Sequence, residues 1–141
     1  MYTGQCESKC LHTITYRINF KNRSMPVFTL NVNVSVSADK KVDILKELST
    51  VVGKLLGKPQ SYMCVHINTD QAITFAGTTD PAGFAVLKSI GGVGTSKQNN
   101  NLASEIFPII EKHIGIPGNR LYIEFVNLGA ADIAFSGNTF A

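Results

Sequence analysis

Two halves of this chain carry the same landmarks at nearly the same offset, and that repeat limits the folds open to it. Gly57-Lys58-Pro59 and Gly115-Ile116-Pro117 each precede three residues and then an apolar run, MCVHI in one case and LYIEF in the other, at a shift of 58. Ile73-Thr-Phe-Ala-Gly77 and Ile133-Ala-Phe-Ser-Gly137 follow those runs at a shift of 60. Each half therefore reads as a βαβ unit with a short extra strand. Right-handed crossovers return both helices to one face of a four-stranded mixed sheet. The fold class expected is α+β. Two helices cover one face, yet the central strands read as apolar on both. The uncovered face predicts association with further copies of the chain.

The elements follow from period. Residues 26–36 alternate and are rich in Val, Phe and Thr, a strand pattern. From about Ala38 the period lengthens: Val42, Leu45, Leu48, Val52 and Leu55 make an amphipathic helix, capped by Ser37 or Asp39 and stopped by Gly57 and Pro59. YMCVHI (62–67) predicts a strand buried on both faces, with Cys64 a buried thiol and His66 a satisfied core histidine. ITFAG (73–77) predicts a short strand, and AVLKSIGGVG (85–94) a strand running into glycines. A second helix is expected over 97–113, on Leu102, Ile106, Ile109 and Ile110. Pro108 inside it costs ~3 kcal/mol unless a kink accommodates it. LYIEFV (121–126) and IAF (133–135) complete the strands.

Composition changes near residue 25. The first 24 residues carry a net charge of +3, from Lys9, Arg17, Lys21 and Arg23 against Glu7, while nine basic and nine acidic residues balance from Pro26 onward. The body thus lacks the basic stripe of a nucleic-acid binder, and no apolar run approaches the ~20 residues that span a bilayer. Cys6 and Cys10 lie in the leader, without a second pair at zinc spacing, and Cys64 is alone in the body. Neither a metal site nor a disulfide framework is expected. The leader has no h-region of a signal peptide. Its alternating Ile14, Tyr16, Ile18 and Phe20 would suit an edge strand, but the coincident shift in charge, cysteine usage and composition favours upstream translated sequence. The expected division is 1–25 as an N-terminal extension and 26–141 as the domain.

Within 26–141, the segments MPVFTLNVNV, GKPQSYMCVHI, LKSIG, NRLYIEF and NTFA occur in that order. Together they resemble the macrophage migration inhibitory factor and D-dopachrome tautomerase family of the tautomerase superfamily. The resemblance implies a βαβ repeat that trimerises around its sheets, and a mature chain beginning at the proline. Pro26 and Lys58 are the implied catalytic residues, and Lys58, Ile90, Tyr122 and Phe135 the implied substrate contacts, with Tyr122 reaching a neighbouring subunit's pocket. The implied activity is keto–enol tautomerisation of small aromatic substrates of the phenylpyruvate or dopachrome type, without a cofactor. A cell-surface receptor is a second implied partner, and secretion without a signal peptide, or a cytoplasmic location, follows from the same likeness.

The chemistry also stands without the resemblance. An N-terminal proline offers a secondary amine. In an apolar pocket beside a cation its conjugate acid is destabilised, so it can be a base near neutral pH. It could move a proton between carbon and oxygen while a lysine stabilises the enolate. Read in isolation, Lys58 is equally a lysine at a helix end, where it complements the dipole. Two departures stand out. Glu124 replaces the Asn of mammalian relatives and would disfavour anionic substrates unless Lys58 pairs with it. The stretch from Asp80 to Leu87 lacks the Cys-x-x-Cys linked to thiol oxidoreductase activity, which is not expected here. The alternative function is a cytokine-like receptor-binding protein with an inactive pocket, especially if the extension is retained.

Overall fold

The computed structural model describes residues 25–141. The expectations for the leader, including its edge strand and the Cys6/Cys10 pair, lie outside the described residues. Strand β1 (Val27–Val32) is followed by helix α1 (Ala38–Leu56), β2 (Cys64–Asn68), β3 (Gly83–Ser89), α2 (Ser96–Ile114), β4 (Leu121–Asn127) and a short hairpin of β5 (Ala134–Phe135) and β6 (Asn138–Thr139). The four long strands form one mixed sheet in the order β2-β1-β3-β4. β1 and β2 are parallel, as are β3 and β4, while β1 and β3 run antiparallel down the middle. These are the two βαβ units of the repeat, joined along β1 and β3.

Local sequence sets the element ends. Ser37 accepts from the Lys40 N–H at the start of α1, and Thr95 with Gln98 forms a capping box on α2. Both helices end on a left-handed glycine, Gly57 at φ 65° and Gly115 at φ 77°. Each is followed by a proline at almost the same angles, Pro59 at −68°/144° and Pro117 at −70°/152°, and then a single 3-10 turn. The second landmark is also one device used twice. Ala76-Gly77 and Ser136-Gly137 both have positive φ, the signature of a two-residue hairpin turn. In the first half the hairpin holds one bridge, Phe75 with Thr78; in the second it holds two paired positions. The strand expected over 73–77 is therefore reduced to a turn.

The core lies between the sheet and the helices. Phe28, Leu30 and Val32 of β1 and Ala85 and Leu87 of β3 face Ile44, Leu48 and Val52 of α1 and Leu102, Ile106 and Ile110 of α2, all buried. Both helices thus pack on one face, as the repeat implies. Pro108 is exposed within α2, so the ladder bond it cannot make is lost on the solvent side. Glu47 ties the helices together, accepting from the Lys112 ammonium at 2.8 Å and pairing with His113 Nε2.

The other face corrects the sequence reading of β2. Cys64 and His66 are exposed, not buried, because β2 is an edge strand and these residues point away from the helices. Phe84 and Tyr122 share that outer face and are also exposed, Tyr122 by 67%.

Candidate active site

Pro26 sits immediately before β1 and is buried. Its carbonyl accepts the N–H of Cys64 at 3.1 Å, which extends the β1–β2 ladder by one step. The register pairs Val27 with Cys64 on one side and with Lys88 on the other, so Pro26 lies level with Ser89, one residue before Ile90.

Lys58 is brought to the same end of the sheet by the helix stop. The N–H of Lys58 donates to the Gly53 carbonyl at 2.8 Å and that of Gly57 to Lys54 at 3.1 Å, a Schellman closure of α1. The segment after Pro59 is then pinned to the helix. Gln60 donates to the Ser49 carbonyl at 2.9 Å and accepts from the Ser49 hydroxyl at 2.6 Å. Gly53 leaves room for it, since a methyl group there would come within 2.5 Å of Gln60 Nε2. Five residues separate Lys58 from Cys64, three of them in a 3-10 turn, so Lys58 stays close to the Pro26 end. Its side chain is half-buried.

Ile90 occupies a held loop. The Ser89 carbonyl accepts from the Leu128 N–H at 2.9 Å, the Gly91 N–H donates to Asn127 Oδ1 at 3.0 Å, and the buried Ser89 hydroxyl donates to the Gly91 carbonyl at 2.7 Å. Gly92, at φ 76°, lies so near α1 that a methyl group would meet Leu56 at 2.8 Å. The end of α1 and the loop after β3 thus converge beside Pro26.

Phe135 stands at this end too, half-exposed, with its ring 5.6 Å from Tyr62 and 6.4 Å from Phe140, while Tyr62 and Phe140 are also 6.4 Å apart. Tyr62 belongs to the 3-10 turn between Lys58 and β2. Sequence reasoning named Phe135 but missed Tyr62 and Phe140. The available signal was their place, three residues after Gly-Lys-Pro and in the terminal NTFA.

Tyr122 does not join them. It pairs with Phe84, which pairs with Asn31, five residues along β1 from Pro26. At ~3.3 Å per residue this is about 17 Å, beyond the reach of a tyrosine side chain. Its ring lies 4.9 Å from that of Phe75 instead. Two surface hollows among the described residues lie elsewhere, one of about 320 Å³ beside Ser49, Gln60 and Val65 and one of about 220 Å³ between the helices at Glu47 and Pro108. Among the described residues no three His, Cys, Asp or Glu side chains gather as a metal site would require.

The family described as macrophage migration inhibitory factor (MIF) matches residues 25–141. This chain belongs to that family. Its relatives include the macrophage migration inhibitory factor homolog of Trichinella spiralis, 47% identical over 116 residues that span 82% of this chain and 100% of that protein. The macrophage migration inhibitory factor of Rattus norvegicus is 36% identical over 83% of this chain and 100% of its own length. Among solved structures, the Trichinella spiralis factor superposes with a TM-score of 0.73 at 44% identity, covering 80% of this chain and 98% of that one. The homologue from Prochlorococcus marinus gives 0.77 at 31% identity, over 82% and 99%. The four-stranded sheet with two helices is the fold shared with these MIF structures.

Proposed function

We propose that the chain is a keto–enol tautomerase of the phenylpyruvate or dopachrome type, with the free amine of Pro26 as its base. The observation that carries this reading is the convergence of Pro26, Lys58 and Ile90 at one end of the sheet, beside an aromatic wall of Tyr62, Phe135 and Phe140. A buried secondary amine near a cation is held neutral more readily than one in water. Neutral, it takes a proton from the carbon next to a carbonyl. The electron pair moves onto the carbonyl oxygen, which Lys58 stabilises as it becomes negative. Delivery of the proton to that oxygen completes the enol and restores the amine.

The active form is residues 26–141. While Met25 is attached, the Pro26 nitrogen is a tertiary amide with no proton, and resonance withdraws its lone pair. The distance between Tyr122 and Pro26 within one chain supports a site completed by a second copy in a homotrimer, in which the exposed sheet faces cover one another. The same trimer can carry the family's cytokine role at a cell-surface receptor, after export by a route that needs no signal peptide or from a cytoplasmic pool. If Met25 and the leader are retained, the pocket is inactive and receptor binding alone remains.

The test compares a protein that begins at Pro26 with one that retains residues 1–25, each checked by intact mass. Turnover of an aromatic keto–enol substrate by the first form only is expected. Equal turnover by both would refute the proline mechanism and leave a binding protein. Light scattering should give three copies per particle; a stable monomer at micromolar concentration would refute the shared site.

A further inference from the structure

Two hydrogen bonds fix the peptide planes on either side of Ile90. The Ser89 carbonyl accepts from the Leu128 N–H at 2.9 Å, and the Gly91 N–H donates to Asn127 Oδ1 at 3.0 Å. Asn127 ends β4 and Leu128 follows it. Both peptides are trans, so each holds its other polar group in the opposite direction. The N–H and the carbonyl of Ile90 therefore point away from β4, toward β1 on the other side of β3. Val27 pairs with Lys88, and counting back along β1 puts Ile90 level with Met25. When the chain begins at Pro26, both groups face the space in front of the free amine. Among the described residues no hydrogen bond takes up either of them.

We propose that Asn127 is a positioning residue of the site: it aims the Ile90 carbonyl at the substrate, where that carbonyl accepts the enol hydroxyl. This rests on the tautomerase reading above.

The two tautomers differ at one oxygen. In the keto form it only accepts, and Lys58 supplies a donor. In the enol it carries a proton and must also donate. A lysine ammonium has three donors and no acceptor, so Lys58 cannot receive that proton. A main-chain carbonyl can. Its direction is set by the plane of the 90–91 peptide, which runs into Gly91 and Gly92, at φ 74° and 76°. Glycine leaves such a plane free to turn unless something holds it. The buried Ser89 hydroxyl holds the next carbonyl, that of Gly91, at 2.7 Å. The hold on the 90–91 plane itself falls to Asn127. Asn127 acts there through its oxygen, since its Nδ2 donates no hydrogen bond among the described residues.

The experiment uses the protein beginning at Pro26 and phenylpyruvate, followed from enol to keto and from keto to enol. In Asn127→Ala, KM for the enol should rise about fivefold, the size of one neutral hydrogen bond, while KM for the keto form stays as it is. Loosening of the pocket as a whole would move both KM values together. Asn127→Asp keeps an oxygen acceptor in place and should bring the enol KM back to within about twofold of the native value. Asn127 is exposed, so neither change disturbs the core. Equal shifts of KM in the two directions, or none in either, overturn the role of Asn127 while leaving the tautomerase standing. If the native protein turns over neither form, the tautomerase reading fails, and the hydrogen bond is read by NMR titration with 2-phenylethanol and its methyl ether. A preference for the alcohol that Asn127→Ala loses and Asn127→Asp keeps supports the proposal; the same ratio of affinities in all three proteins overturns it.

Discussion

Replacing Arg120 by alanine should loosen the loop that supports Tyr122. The guanidinium donates to four main-chain carbonyls of one segment: Pro81 at 3.0 Å, Phe75 at 3.1 Å, Thr78 at 3.4 Å and Asp80 at 3.0 Å. Its carbon also lies 5.5 Å from the centre of the Phe75 ring. Charge-assisted hydrogen bonds contribute ~1.5–3 kcal/mol each when buried. Here water can serve most of these carbonyls once the side chain is gone, so about 0.5 kcal/mol per bond is a fair measure. The cation–π contact adds ~0.5–1 kcal/mol. The expected loss is therefore about 3 kcal/mol, read as a lower urea midpoint for the 26–141 protein. Protein concentration must be fixed, because assembly stabilises the folded form by mass action. Arg120→Lys should recover less than half, since one ammonium cannot span four carbonyls. Limited proteolysis should reveal new cleavage between residues 75 and 81. A loss below about 1 kcal/mol, with the segment no easier to cut, would refute the idea that Arg120 holds it.

Lys58→Ala should lower tautomerase turnover about a hundredfold with an unchanged circular dichroism spectrum; an unchanged rate would leave Lys58 as a helix-end lysine only. Gly83→Ala should cost about 1–3 kcal/mol in urea unfolding, because the new methyl would sit 3.0 Å from the Asn31 carbonyl oxygen and from Leu121 Cδ1. The hydrogen bond from His113, and then that from Lys112, hold the Glu47 carboxyl below its ordinary value of 4.5. A depressed carboxyl contributes stability that is complete above that ordinary value and is lost as pH falls through the depressed one. Urea midpoints measured from about pH 6 to about pH 3 should therefore fall less steeply in Glu47→Gln than in the native protein.

Much of this was legible because periodicity and stop signals agree. The first helix runs from Ala38 to Leu56 and the second from Ser96 to Ile114, both set by apolar spacing and by a Gly-x-Pro stop. The strand at 64–68 was legible as an element but not in its exposure. An apolar run reports that a strand will be covered, not whether its own chain covers it, and Cys64 and His66 face outward on an edge. The 73–77 segment carries strand-forming Ile, Thr and Phe, but the turn at Ala76-Gly77 folds it back after one bridge. At the site, Pro26, Lys58 and Ile90 could be named from motifs. Their convergence depends on register, which no single segment encodes. Tyr62 and Phe140 escaped because each looks like ordinary packing until the fold sets them around Phe135.

The matched helix stops divide their labour. After Gly57 the next side chain is Lys58, half-buried at the sheet end; after Gly115 it is Ile116, buried in the core at 1% exposure. The backbone path is the same at both, through a left-handed glycine, an extended proline and a 3-10 turn. Two identical half-length chains could not make that choice, since any residue placed at one stop would appear at the other. A cation there would be forced into the core, or an anchor would be wasted at the surface. Joining the halves in a single chain releases the two positions from one another. One can then be chosen for reactivity and the other for cohesion, with no alteration in the scaffold that presents them.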